Sequence, residues 1–177
     1  MNSTLVGQLV AAGVRDVADF PRTGVVFKDI TPLLADGSAL GQVTDYMGDL
    51  IKDAGATLVV GIEARGFVLA VPAALRAGLG FVPLRKPGKL PGAKISQTFA
   101  LEYGQATLEM HQDAVAPGSR VVIVDDVLAT GGTAEAACQL VERAGGQVIG
   151  LQFLIELQAL GGRAALADRP ITSLLVT

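Results

Sequence analysis

The chain has 177 residues, 14 lysines and arginines against 17 acids, a net charge of −3 and a pI near 5.1. That length suits one domain, able to bury about 70% of its unfolded surface without staples, and that charge excludes wholesale nucleic-acid binding, which needs a basic surface. Mean hydropathy is +0.48, but apolar runs such as Phe67 to Leu75 are too short to span a bilayer, and no basic leader precedes an apolar segment, so no membrane partner and a cytoplasmic location are expected.

Thr4 to Ala12 sets Leu5, Leu9 and Ala12 at helical spacing, with Ser3 as N-cap and Gly13 as stop. From Asp19 to Pro32, two prolines and a glycine preclude a long helix, and Val25 to Phe27 reads as a short extended piece of a loop-rich hood. Asp36 then caps a helix over Gly37 to Lys52, with Leu40, Val43, Met47, Leu50 and Ile51 on one face. Thr57 to Gly61 is a buried strand, and the turn through Gly66 leads into a helix from Phe67 to about Ala77. Arg65 therefore falls between a strand's carboxyl end and a helix start, where it either pairs with Glu63 at the surface or clamps a phosphate.

Gly80 to Leu84 is the next strand. Behind it Arg85, Lys86, Lys89 and Lys94 are interleaved with proline and glycine, the pattern of a solvated loop or of a mobile basic arm that closes over a polyphosphate. Phe99 to Gly104 and Ala106 to Met110 imply a hairpin outside the main sheet.

The central stretch runs from Val121 to Thr133. Four apolar β-branched residues end in Asp125 and Asp126, then Ala129, Thr130, Gly131, Gly132 and Thr133 precede a helical pattern from Ala134 to Arg143: strand, phosphate loop, helix. Glycines let backbone N–H groups approach a phosphate, the threonines add hydroxyls, and the helix N-terminus adds partial positive charge. Two carboxylates repel phosphate but accept hydrogen bonds from a polyol, so the stretch asks for a sugar phosphate. An ordinary acidic and glycine turn at a strand end is the plain alternative; no lysine follows Gly131-Gly132, which excludes a Walker loop.

Gln147 to Ile155 reads as another buried strand, Leu160 to Arg163 as a turn into a weak helix, and Ile171 to Val176 as an edge strand. The alternation predicts an α/β fold with a doubly wound parallel sheet of about five strands. Cys138 reads as a small buried hydrophobe and His111 as structural; each is the sole residue of its type.

Val121 to Thr133 resembles the 5-phosphoribosyl-1-pyrophosphate (PRPP) motif of the type I phosphoribosyltransferases. Three further stretches, Phe20 to Ile30, Gly61 to Phe67, and Arg85 to Gly92 with Leu101 to Gly104, resemble the adenine-specific branch of that family. The resemblance implies the type I fold over residues 1–177, with a hood over about 1–34, a core over about 35–177 and a flexible hairpin catalytic loop over about 86–105. It implies the reaction of adenine with PRPP to AMP and diphosphate, Mg²⁺ carried on PRPP with Asp125 and Asp126 nearby rather than on dedicated protein ligands, inversion at C1, and a homodimer.

It also distributes the work. Ala129, Thr130, Gly131, Gly132 and Thr133 would hold the 5-phosphate, Asp125 and Asp126 the ribose hydroxyls, and Arg65, Lys86 and Lys89 the departing diphosphate. Arg85 and Tyr103 are counted among the substrate-binding residues. Phe27 would stack on adenine while the backbone of Val26 and Lys28 reads its edge, and Glu102 would manage the imidazole proton. The departures are Thr23 where the family often has proline, Lys28 in place of arginine, and Glu63-Ala64 in place of Asp-Ser.

Overall fold

The computed structural model describes residues 2–100, 104–166 and 168–177. α1 (Ser3–Gly13) is capped by Asn2 rather than Ser3: the Asn2 side chain accepts from Leu5 N at 2.9 Å. Asparagine ranks at least with serine as an N-cap. Val6 and Val10 are wholly buried, and α1 packs on a later helix and the last strand.

A short hairpin follows. β1 (Arg15–Ala18) pairs antiparallel with β2 (Val26–Asp29). No apolar alternation announces β1; its register is held by charges directly opposite each other, Arg15 with Asp29 and Asp16 with Lys28. α2 (Thr31–Ala35) carries Pro32 in its first turn, where a missing N–H costs nothing. Asp36 then caps α3 (Gly37–Asp53), accepting from Ser38 N and Ala39 N. Of the predicted face, Val43, Met47 and Ile51 are fully buried and Leu40 and Leu50 partly so.

β3 (Leu58–Ile62), α4 (Arg65–Ala77) and β4 (Gly80–Leu84) form the first parallel crossover. The predicted hairpin is present as β5 (Lys94–Ala100) with β6 (Gln105–His111), a separate two-stranded sheet, but its first strand starts at Lys94, within the stretch read as the basic arm, and not at Phe99. β7 (Arg120–Leu128), α5 (Gly132–Arg143), β8 (Gln147–Glu156), the single-turn α6 (Gly162–Ala165) and β9 (Ile171–Val176) complete the chain. The main sheet has five parallel strands in the order β4-β3-β7-β8-β9.

β7 is central, and its four apolar residues are buried on both faces. Val121 and Ile123 enter a cluster with α5 and the hairpin, and Val122 and Val124 one with α1, α3 and α4. Each such side chain stabilises the fold by about 1.5–3 kcal/mol. The strand does not stop at the two acids. β8 continues to pair with it as far as Leu128 opposite Glu156, which carries Asp125 and Asp126 on a rigid ladder. Among the described residues no helix is long and apolar enough to cross a membrane.

Candidate active site

The carboxyl ends of β3 and β7 open a crevice of about 570 Å³, lined by the turn after β3, by Asp125 and Asp126, and by the inner edge of the hairpin. That volume suits a nucleotide-sized ligand, and the crevice lies where parallel sheets place their ligands. A smaller pocket adjoins it, formed by Asp125, Leu128 to Gly131 and Thr133.

Asp125 and Asp126 alternate along the strand, so their side chains leave it in opposite directions. Asp125 Oδ1 accepts from Asp126 N at 2.8 Å. The start of α4 rests on the same oxygen: a Cβ at Gly66 would come within 2.8 Å of Oδ1, so only glycine lets the helix approach. Burial, reinforced by the Asp126 charge, pushes the Asp125 carboxyl well above its usual range. Asp126 is 5% exposed and meets Arg65, whose Nε stands 2.7 Å from Oδ2. The geometry is that of an ion pair and not of a hydrogen bond, for Oδ2 has no hydrogen-bond partner.

Arg65 thus pairs with Asp126 and not with Glu63. It opens α4, where the helix dipole disfavours a cation, and the aspartate offsets that cost. Its guanidinium carbon also lies 4.9 Å from the centre of the Phe27 ring, a cation–π contact. Phe27 is half-buried and meets Phe20 edge-on at 5.1 Å. Val26 and Lys28 flank it with the same strand parity, so their backbone groups point the same way. The Lys28 side chain is turned to Asp16 at 2.8 Å, leaving this residue its backbone for any role in the site.

The basic residues after β4 are gathered by an acid. Lys89 Nζ stands 2.6 Å from Glu63 Oε1, Arg85 Nε 3.3 Å from Oε2, and Lys86 N donates to Oε2 at 2.9 Å. The hydrogen bond from Lys89, then that of Lys86 N, holds the Glu63 carboxyl at a pKa of about 2 against the opposing effect of burial. A second acid, Glu109 on β6, accepts from Gly88 N at 3.0 Å. The basic segment is therefore tied at two points beside the crevice, and Lys86 lines it.

The loop after β7 is built as a cradle. Gly131 caps α5 with φ +90°, a conformation that favours glycine, and α5 begins at Gly132. Ala129, Thr130 and Thr133 face the small pocket. The hairpin reaches over it: a Cβ on Gly132 would lie 3.3 Å from the Ala100 carbonyl oxygen. Glu102 and Tyr103 lie outside the described residues. Sequence reasoning missed Glu63 and Glu109 as anchors; the one available signal is an acid two positions before Arg65, and the partners of both come from the segment after β4, more than twenty residues away in sequence from either acid.

The description "phosphoribosyl transferase domain" belongs to the family model that matches residues 31–168. The adenine phosphoribosyltransferase of Streptomyces coelicolor is 57% identical over 176 residues, covering 97% of each chain. The solved adenine phosphoribosyltransferase of Rhodothermus marinus aligns with a TM-score of 0.91 at 47% identity, covering 99% of this chain and 100% of that one. The Saccharomyces cerevisiae enzyme, solved with adenine and D-2,5-dideoxy-2,5-imino-altritol 1,6-bisphosphate, aligns at 0.92 and 35% identity, covering 97% and 99%. The chain belongs to the phosphoribosyl transferase domain family, of type I fold. Within it the chain stands among the adenine phosphoribosyltransferases, pentosyltransferases of purine salvage.

Proposed function

We propose that this crevice transfers the 5-phosphoribosyl group of PRPP to adenine, giving AMP and diphosphate with inversion at C1. One observation carries the assignment of roles: Arg65 bridges the Phe27 ring and Asp126, so a surface for the base, an acceptor for ribose hydroxyls and a cation for the leaving group converge at the end of β7.

As the bond from C1 to diphosphate lengthens, negative charge gathers on the leaving group, and only contacts that strengthen then accelerate the step. Arg65, Lys86 and Lys89, with Arg85 behind them, are the cations within reach of that charge. Asp125 and Asp126 accept from the ribose hydroxyls and Ala129 to Thr133 hold the 5-phosphate, which fixes C1 for in-line attack. For Asp126 to take up a hydroxyl, Arg65 has to swing from it toward the diphosphate; the guanidinium end of the pair is partly exposed and no hydrogen bond ties it to Oδ2, so the arginine is free to make that exchange while the aspartate stays in place.

Mg²⁺ fits this donor set. The ion favours substrate phosphate oxygens plus one or two carboxylates over an all-protein cage, and the crevice offers the two aspartates. Bound with PRPP, it neutralises diphosphate charge. The base stacks on Phe27, worth about 1–3 kcal/mol, while the backbone of Val26 and Lys28 reads its amine and ring nitrogen. Glu102 takes the imidazole proton, a contribution of about 10²–10⁴ in rate. Tyr103 joins it as the hairpin segment closes and excludes water.

PRPP, phosphorylated and highly charged, suits a cytoplasmic enzyme. A homodimer is supported by α4, where Val68, Val71 and Leu75 form an exposed apolar stripe at 42%, 38% and 74%.

The test is incubation with PRPP, Mg²⁺ and each purine in turn, following diphosphate release. Adenine alone yields product, and Glu102→Ala slows turnover while PRPP binding survives. Equal use of hypoxanthine would overturn the specificity.

A further inference from the structure

Behind the phosphate cradle lies a charged cluster that none of the roles above uses. β8 ends its buried run on Glu156, whose side chain is 5% exposed. A buried carboxylate is costly unless paired and hydrogen-bonded, and this one is fully engaged. Arg163 of α6 donates from Nε to Oε1 at 2.9 Å and from a terminal nitrogen to Oε2 at 2.6 Å, and the Ser173 hydroxyl of β9 donates to Oε2 at 2.7 Å. The second terminal nitrogen of Arg163 donates to the Ile171 carbonyl at 3.2 Å. One guanidinium therefore rivets α6 to the ends of two strands.

The preceding residue presses on the cradle. A Cβ on Gly162 would stand 2.2 Å from the Ala129 carbonyl oxygen and 3.0 Å from Gly131 N, and a Cβ on Gly131 would stand 2.9 Å from the Gly162 carbonyl oxygen. The two backbones are in contact with no side chain between them. The path from the buried acid to the cradle is thus Glu156, Arg163, Gly162, then Ala129 and Gly131.

We propose that Glu156, Arg163 and Gly162 are positioning residues for the phosphomonoester end of the substrate. Anchored by the ion pair, α6 serves as a wall that keeps the peptide groups of Ala129 to Gly132 aimed at the phosphate. The inference rests on the phosphate role given above to that loop. A flexible cradle would have to be ordered by each incoming ligand; a walled one is ordered beforehand.

Calorimetric titration of the whole chain with ribose 5-phosphate, and separately with inorganic diphosphate, tests it. Arg163→Met weakens ribose 5-phosphate about tenfold, because the loosened cradle has to be ordered by the ligand, and leaves diphosphate within about twofold. In steady state the KM for PRPP rises more than kcat falls. Arg163→Lys keeps the charge but loses the two-pronged geometry, and restores part of the loss. Should Arg163→Met melt below the assay temperature, Arg163→Lys and Ser173→Ala, which leave Glu156 a partner, decide in its place. Native-like melting with unchanged ribose 5-phosphate affinity overturns the proposal, as does an equal loss for both ligands. A wild-type chain that binds diphosphate but not ribose 5-phosphate removes the phosphate-cradle reading itself, and the wall with it.

Discussion

Lys89 and Glu63 stand 2.6 Å apart although α4, β4 and the start of the basic segment separate them in sequence, and the acid, 6% exposed at its side chain, also holds Arg85 and the amide of Lys86. One carboxylate thereby gathers two cations and a backbone donor beside the crevice. Lysine has three donors and Glu63 uses one, so Lys89 can meet diphosphate without leaving its anchor. Preorganised charge of this kind acts most strongly where new negative charge develops. Glu63→Gln is expected to lower kcat/KM for PRPP about tenfold, with the KM for adenine little changed, in initial-rate measurements.

The same pair has a definite pH signature. The Glu63 carboxyl sits near 2 in the folded chain against 4.5 when unperturbed. Its folded value is depressed, so its contribution is fully present above 4.5 and fades as pH falls from there toward 2. Because Lys89 is about half exposed, solvent screening limits the contribution to about 1 kcal/mol. The melting-temperature gap between wild type and Glu63→Gln should be constant from pH 8 to 6 and close steadily below pH 4.5. A gap that widens in acid would contradict the pairing.

Asp125 should show the opposite trade. Its folded carboxyl titrates above the usual range because it is buried beside Asp126, so ionisation at neutral pH opposes folding. The stability it contributes is present below the unfolded value and is lost as pH rises through the folded one. Asp125→Asn keeps the shape and removes the charge. Its Tm at pH 7 should rise by about 2–4 °C, the shift that about 1 kcal/mol gives in a chain of this size, while PRPP affinity falls. Differential scanning calorimetry with a PRPP titration checks both halves.

What could be read beforehand follows from how local each signal is. The five-stranded sheet was legible because its strands are short apolar runs punctuated by glycine, and α3 because Asp36 caps a periodic face. The cradle was legible because Gly131, Gly132 and the threonines are contiguous. β1 was not, since Arg15 to Ala18 has no apolar pattern and exists by charge pairing across the hairpin. Neither was the partner of Arg65: Glu63 is nearer in sequence, but the extension of β7 through both acids delivers Asp126 instead, and Glu63 is drawn away by Lys89. Such pairings depend on strand order and register, which single segments do not encode.

Phe27 offers the sharpest separation of base from sugar. Its ring carries Arg65 at 4.9 Å and Phe20 at its edge, and its own side chain does not line the small pocket formed by Leu128 to Gly131. Phe27→Leu keeps the apolar bulk but loses the π-face, worth about 1–3 kcal/mol in stacking. The KM for adenine should rise about tenfold, while ribose 5-phosphate binding remains within about twofold.

The apolar stripe on α4 carries the last prediction. Val68, Val71 and Leu75 recur at three and four residues, so they share one side of the helix, and that side faces away from the sheet packed by Leu69, Ala70, Ala73 and Ala74. The homodimer proposed above would bury this row, each copy presenting it to the other about a twofold axis. The stripe lies on the helix that Arg65 and Gly66 open at the crevice. Leu75→Glu would place two like charges in a self-complementary contact. Light scattering should then show about twice the chain mass for wild type and the single-chain mass for Leu75→Glu, with the variant's melting temperature becoming independent of protein concentration. A wild-type chain that scatters as a monomer at all concentrations would remove the stripe's role in assembly.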